Sequence, residues 1–115
     1  MKTEKKSDPL IGDELLAISL HPYHVYLTFT QSEVQIGAPF VIYAEGESLK
    51  EFNPKEGLGD LGTLWALIGK KVKSVTLGGV VDLVFNDKHV VSIARSEGRP
   101  RGLIKGRHDM TVEEF

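Results

Sequence analysis

Leu67-Ile68-Gly69-Lys70-Lys71-Val72-Lys73-Ser74-Val75-Thr76-Leu77, followed by Val81-Asp82-Leu83-Val84-Phe85, decides the fold, because the chain carries it twice. The earlier copy is Leu10-Ile11-Gly12-Asp13-Glu14-Leu15-Leu16-Ala17-Ile18-Ser19-Leu20, followed by Val25-Tyr26-Leu27-Thr28-Phe29. Leu10, Ile11 and Gly12 match Leu67, Ile68 and Gly69, and Leu20 matches Leu77. Val25, Leu27 and Phe29 match Val81, Leu83 and Phe85; Val34 and Ile36 match Val91 and Ile93. The matches are almost all apolar and fall where strand alternation points inward. Polar positions differ, Tyr26 against Asp82 and Thr28 against Val84. A duplicated three-stranded meander explains this; the plainer alternative is coincidence of common β patterning.

Outward from the repeat, the grammar stays that of strands. Val25, Leu27 and Phe29 alternate with Tyr26, Thr28 and Thr30, the period of a half-buried strand. His21-Pro22-Tyr23-His24 makes the turn before it. Gly37 and Pro39 interrupt a third strand begun by Val34 and Ile36, and Phe40 to Ala44 resumes it. Pro39 cannot donate to a ladder, so a bend, bulge or strand start falls there. Glu45-Gly46-Glu47-Ser48 reads as a hairpin turn, with Leu49 to Phe52 returning. Strands follow at Val72 to Leu77, Val80 to Asn86 and His89 to Ala94, the first two joined by the turn Gly78-Gly79.

Between the copies the pattern is helical. Asn53, Pro54 and Glu56 resemble a capping box, and Leu58, Leu61, Leu64, Trp65 and Ile68 form one apolar stripe. Gly57 and Gly59 weaken the first turns, so a loop and a shorter helix fit as well. Trp65 is expected in the core, and Gly69 sits where a left-handed cap belongs. The predicted class is therefore α+β: mostly antiparallel β, two related three-stranded meanders and one helix over about 58–68. Residues 1–9 read as a charged tail. A single β-rich domain spans 10–94, with repeats at 10–36 and 67–93. Residues 95–115 read as a Gly/Arg-rich tail, partly ordered, in which Leu103-Ile104 can dock or pair as a short strand.

At 115 residues the chain suits one domain, without staples for its core. Hydrophobic content of 41% and charged content of 26% are those of a soluble globule. A net charge of -2 gives no pull toward nucleic acid or anionic membrane. The absence of cysteine excludes disulfides, thiolate chemistry and Cys-based zinc sites. Lys2, Lys5 and Lys6 precede no apolar signal core, and no apolar run approaches the roughly 20 residues that cross a bilayer. A cytoplasmic protein is expected.

Chemistry-bearing motifs are thin. His21 and His24 flank a Pro-Tyr turn and need a third ligand to hold a metal; two surface histidines are the plainer reading. His89 follows the equivalent turn of the second copy. No serine lies in a Gly-x-Ser-x-Gly elbow, and Lys73-Ser74 lacks the preceding glycine of a phosphate loop. Gly57-Leu58-Gly59-Asp60-Leu61-Gly62 fits a dinucleotide fingerprint by letter but lies among antiparallel hairpins. Arg95, Arg99, Arg101, Lys105 and Arg107 form one basic cluster without aromatics for stacking, which argues against nucleic acid. No catalytic residue, metal or cofactor is assigned. The surface candidates are His21, Tyr23, His24, His89, Arg95, Arg99 and Arg101.

Four runs complete a resemblance: Val34 to Ile42, Phe52-Asn53-Pro54, Leu61 to Val72, and Leu83 to Asp87. They resemble a family of small bacterial proteins sharing a domain of unknown function, over roughly Leu10 to Ile93. The shared motifs are structural. Members commonly end the last strand with an acidic-aromatic segment, where this chain has Arg95-Ser96-Glu97-Gly98-Arg99-Pro100-Arg101. The resemblance implies no activity; immunity or accessory proteins to secreted toxins are one version of such small proteins. The sequence thus favours a non-enzymatic protein-binding module, with a homodimer through exposed strand edges admitted. The competing reading is a small-ligand binder or enzyme using a histidine-containing cleft between the repeats.

Overall fold

The computed structural model describes residues 10–44, 50–55, 61–95, 100, 102–106 and 112–115. The expected N-terminal tail, the turn at Glu45 to Ser48, Glu56, residues Gly57 to Asp60 of the glycine fingerprint, Arg99, Arg101 and Arg107 lie outside these residues; Leu61 and Gly62 of the fingerprint open the helix. Among those described are ten strands and one short helix. The strands are β1 (Leu15–His21), β2 (His24–Phe29), β3 (Ser32–Ile36), β4 (Phe40–Ala44) and β5 (Lys50–Phe52), then β6 (Val72–Leu77), β7 (Val80–Phe85), β8 (His89–Ala94), β9 (Gly102–Gly106) and β10 (Val112–Glu114). The helix α1 is Leu61–Trp65.

All pairings are antiparallel, in two five-stranded sheets ordered β1-β2-β3-β9-β10 and β5-β4-β8-β7-β6. Each meander of the repeat forms three strands of one sheet. The apparent interruption at Gly37 to Pro39 is instead a crossing between sheets: β3 belongs to the first and β4 to the second. Pro39 fits there because its carbonyl accepts from Ala94 N–H (3.1 Å) while no donor is asked of it. The β9–β10 hairpin makes the reverse crossing and pairs with β3. The expected C-terminal tail therefore contributes two strands.

The repeat is visible atom by atom at the junction of the halves. Gly12 N–H donates to Val72 O (2.7 Å), and Gly69 N–H donates to Leu15 O (2.8 Å). Leu15 N–H donates to Lys70 O (2.9 Å), and Val72 N–H donates to Asp13 O (3.0 Å). Each pair is the other with every residue exchanged for its counterpart. Gly12 and Gly69 have φ of 85° and 93°, a left-handed conformation that glycine adopts without a Cβ penalty. Both first strands bulge one residue later, between Leu15 and Ala17 and between Val72 and Ser74.

One core joins the sheets. Val25, Leu27, Phe29, Val34, Ile36 and Ile104 meet Phe40, Ile42, Val81, Leu83, Phe85, Val91 and Ile93 in a single cluster. Phe29 and Phe85, counterparts in the repeat, stack across it with centroids 6.5 Å apart. Burying such side chains stabilises by about 1.5–3 kcal/mol each. Leu10, Leu64 and Leu67 add to the cluster. The helix lies inside the expected span but is shorter, and Trp65 is a correction: it is 44% exposed, with Leu64 the buried residue of α1. After Ala66 the hydrogen bonds tighten, with Leu67 and Ile68 donating three residues back to Leu64 and Trp65. That tightening turns Leu67 inward and leaves Ile68 exposed. Among the described residues Asn53 caps no helix; its Oδ1 accepts from Lys55 N–H (3.0 Å) in a local turn.

Candidate functional site

Four strands end the sheets: β1 and β10 in the first, β5 and β6 in the second. An open edge offers unpaired backbone donors and acceptors, and natural edges are blunted with charge. β10 carries Glu113 and Glu114, β5 carries Lys50 and Glu51, and β6 carries Lys73 at its bulge. β1 carries no charge from Leu15 to Leu20. Among the described residues, the segment Gly69-Lys70 covers its outer edge at Leu15, and no strand covers it beyond.

The repeat supplies the comparison. Lys73 of β6 stands where β1 has Leu16, which is 48% exposed. Leu77 is half-buried, whereas its counterpart Leu20 is 45% exposed. Gly78-Gly79 end the β6–β7 hairpin where His21-Pro22-Tyr23-His24 end β1–β2. The two edges share a backbone plan and differ in their side chains, and the differences at Leu16 and Leu20 favour an apolar surface on β1.

At the hairpin tip, Tyr23 has φ of 68° and is 61% exposed. A non-glycine residue in that region costs about 1–2 kcal/mol. Pro22 fixes the preceding turn position. His21 and His24 flank Tyr26, with ring centroids 4.4 Å and 6.3 Å from it. Three candidates read from the sequence, His21, Tyr23 and His24, thus come together with Tyr26 at the end of the uncharged edge.

The other candidates lie elsewhere. His89 opens β8; its Nδ1–H donates to Asp87 Oδ2 (2.8 Å), and its backbone N–H to Asp87 Oδ1 (3.1 Å). Lys70 also pairs with Asp87. Burial raises the Asp87 pKa, but Lys70, the His89 amide and the His89 ring outweigh it and hold the carboxyl at about 2, below its ordinary 3.8. This joins the segment before β6 to the β7–β8 turn. The counterpart in the first half is Asp13, whose Oδ2 accepts from Gln31 N–H (2.7 Å). The same link is made with the polarity reversed, which marks it as structural. Arg95 Nη1 donates to Gly78 O (3.1 Å), tying β8 to the β6–β7 turn. Lys105 of the basic cluster stands across from Glu33 in the β3–β9 ladder.

No group of three His, Cys, Asp or Glu side chains that could hold a metal occurs among the described residues. A cleft of about 580 Å³ lies on the second sheet, lined by Val41, Glu51, Asn53, Val80 and Ser92 among others, and no histidine contributes to it. No described helix is long and apolar enough to cross a membrane. Leu16 and Leu20 are the site residues that motif searching passes over. The signal was the alignment of the copies, where leucine stands against Lys73. No family model, curated protein or solved structure matches the chain.

Proposed function

We propose that this protein is a non-enzymatic binding module that docks a protein partner by strand addition along the open edge of β1. The observation that carries this reading is the absence of charge on β1, when the other three sheet edges, its own counterpart β6 among them, are all charged. An added strand takes its affinity from backbone hydrogen bonds and its specificity from neighbouring side chains. Here those are Leu16 and Leu20, with Tyr23 at the tip. Holding Tyr23 in a costly conformation fits a residue kept for contact rather than for the turn. The strand comes either from a second copy of the chain or from another protein; a toxin domain with an exposed strand is one such partner, and the bacterial cytoplasm one such setting.

The test compares wild type with a Leu16→Lys/Leu20→Lys double variant. Both leucines are exposed, so the variant is expected to keep the wild-type far-ultraviolet circular dichroism. Wild type is expected to retain a stoichiometric partner from extract of its native cell, and the variant to lose it. Equal retention by the two proteins overturns the edge as the docking surface.

A further inference from the structure

We infer that the strand added to β1 is β1 of a second copy, antiparallel across a twofold axis at Ile18, so that the two first sheets become one continuous ten-stranded sheet. The inference rests on β1 being the docking edge and names its occupant.

The strand is complementary to itself. In an antiparallel pair centred on Ile18, Leu16 of each copy faces Leu20 of the other, and one pairing covers all four exposed leucines. A foreign strand must bring its own apolar residues at that spacing, without charge; a second copy has them by construction. The edges β5 and β6 do not self-pair in this way. Centred on Glu51, β5 sets like carboxylates together. Centred on Val75, β6 covers Lys73 with Leu77 and leaves the ammonium unpaired.

Gly69-Lys70 fills the outer edge of β1 at Leu15, which confines the pairing to Leu16–Leu20. A pairing of that length is smaller than the roughly 1,200–2,000 Å² of a standard stable interface. The association is therefore weak and concentration-dependent.

Sedimentation equilibrium over a concentration series tests this on the full chain. The wild-type mass is expected to rise from 12.7 kDa toward twice that value, and the Leu16→Lys/Leu20→Lys variant to stay at one copy. Because the chain has no cysteine, register is read separately. A Leu16→Cys/Leu20→Cys variant is expected to cross-link into disulfide dimers on oxidation, and Leu16→Cys alone to remain uncross-linked. A wild type that stays at one copy at every concentration overturns the second copy as occupant. Edge docking then still stands or falls on partner retention by the two proteins of the preceding experiment. A dimer that survives both lysines overturns the inference too, by placing the contact elsewhere.

Discussion

Gly102 shows what a single residue decides. It pairs with Phe115 through reciprocal backbone hydrogen bonds, Gly102 N–H to Phe115 O (3.0 Å) and Phe115 N–H to Gly102 O (2.9 Å). In the other half the same ladder position pairs Phe40 with Phe52, whose rings stack 5.1 Å apart. One half fills the space with two rings; the other fills it with one ring lying over a glycine. A Cβ at Gly102 would lie 2.6 Å from Phe115 Cζ and 2.8 Å from Gln35 O. The ring can shift but the carbonyl is fixed in the β3–β9 ladder. Gly102→Ala is expected to cost about 1–3 kcal/mol, read as a lowered urea midpoint; an unchanged midpoint rejects this account. Asp87 gives a second residue-scale expectation. Its carboxyl titrates at about 2 when folded against 3.8 ordinarily, so between these values the unfolded chain binds more protons. Its contribution to stability is full above pH 3.8 and disappears as pH falls through 2. Lys70→Met removes the main cation. The stability gap between wild type and this variant is expected to be constant from pH 7 to 4 and to close toward pH 2. A gap that widens on acidification contradicts the pairing.

At the scale of elements, most strands were legible because burial alternates along them. β2 and β3 bury every second residue, as the alternation of apolar and polar residues predicts except at Ser32, a buried polar residue that opens β3. The helix was legible only in outline. Its stripe of leucines and Trp65 is apolar, but the chain leaves helical geometry after Trp65, and three- and four-residue spacing then stops predicting a face. The assignment of strands to sheets was not legible either, since β3 and β4 differ in sheet and not in pattern. The edges carry the functional argument, and they can be exchanged. Lys73 is the residue by which β6 differs from β1 at the bulge. Lys73→Leu gives β6 the same uncharged face and a second sticky edge. It is expected to turn the pair of copies inferred for β1 into open chains, because each molecule then presents two pairing edges instead of one. Light scattering is expected to show mass rising beyond two copies at concentrations where wild type stops. A variant that sediments as wild type removes Lys73 from the role of edge guard.

On the whole-molecule scale, the duplicated unit is longer than the meander. β4 and β5 stand in the second sheet where β9 and β10 stand in the first. Ile42 pairs with Val91, and Ile104 with Val34, at matched positions. Phe52 and Phe115 then take corresponding places beside Phe40 and Gly102. The meander halves were recognisable because both bury the same apolar residues. The hairpins were not, because Phe40-Val41-Ile42-Tyr43-Ala44 and Gly102-Leu103-Ile104-Lys105-Gly106 share little besides the central isoleucine. Each half therefore gives its hairpin to the other half's sheet. Fragment 1–55 retains β1–β3 but lacks Ile104 and Phe115 from its sheet, and its own β4–β5 hairpin has lost β8. Fragment 56–115 suffers the reverse. Neither buries a closed core alone, so neither is expected to fold as a monomer, and the intact chain is expected to unfold in one cooperative step. Mixed, the two are expected to assemble one to one, with the circular dichroism of the intact chain. For fragment 1–55 alone, the open place beside β3 matches the β4–β5 hairpin of another copy, so its folded form is expected to be an exchanged dimer. A folded, monomeric 1–55 would show that the exchange of hairpins is incidental to the core, and size-exclusion chromatography with light scattering on that fragment decides it.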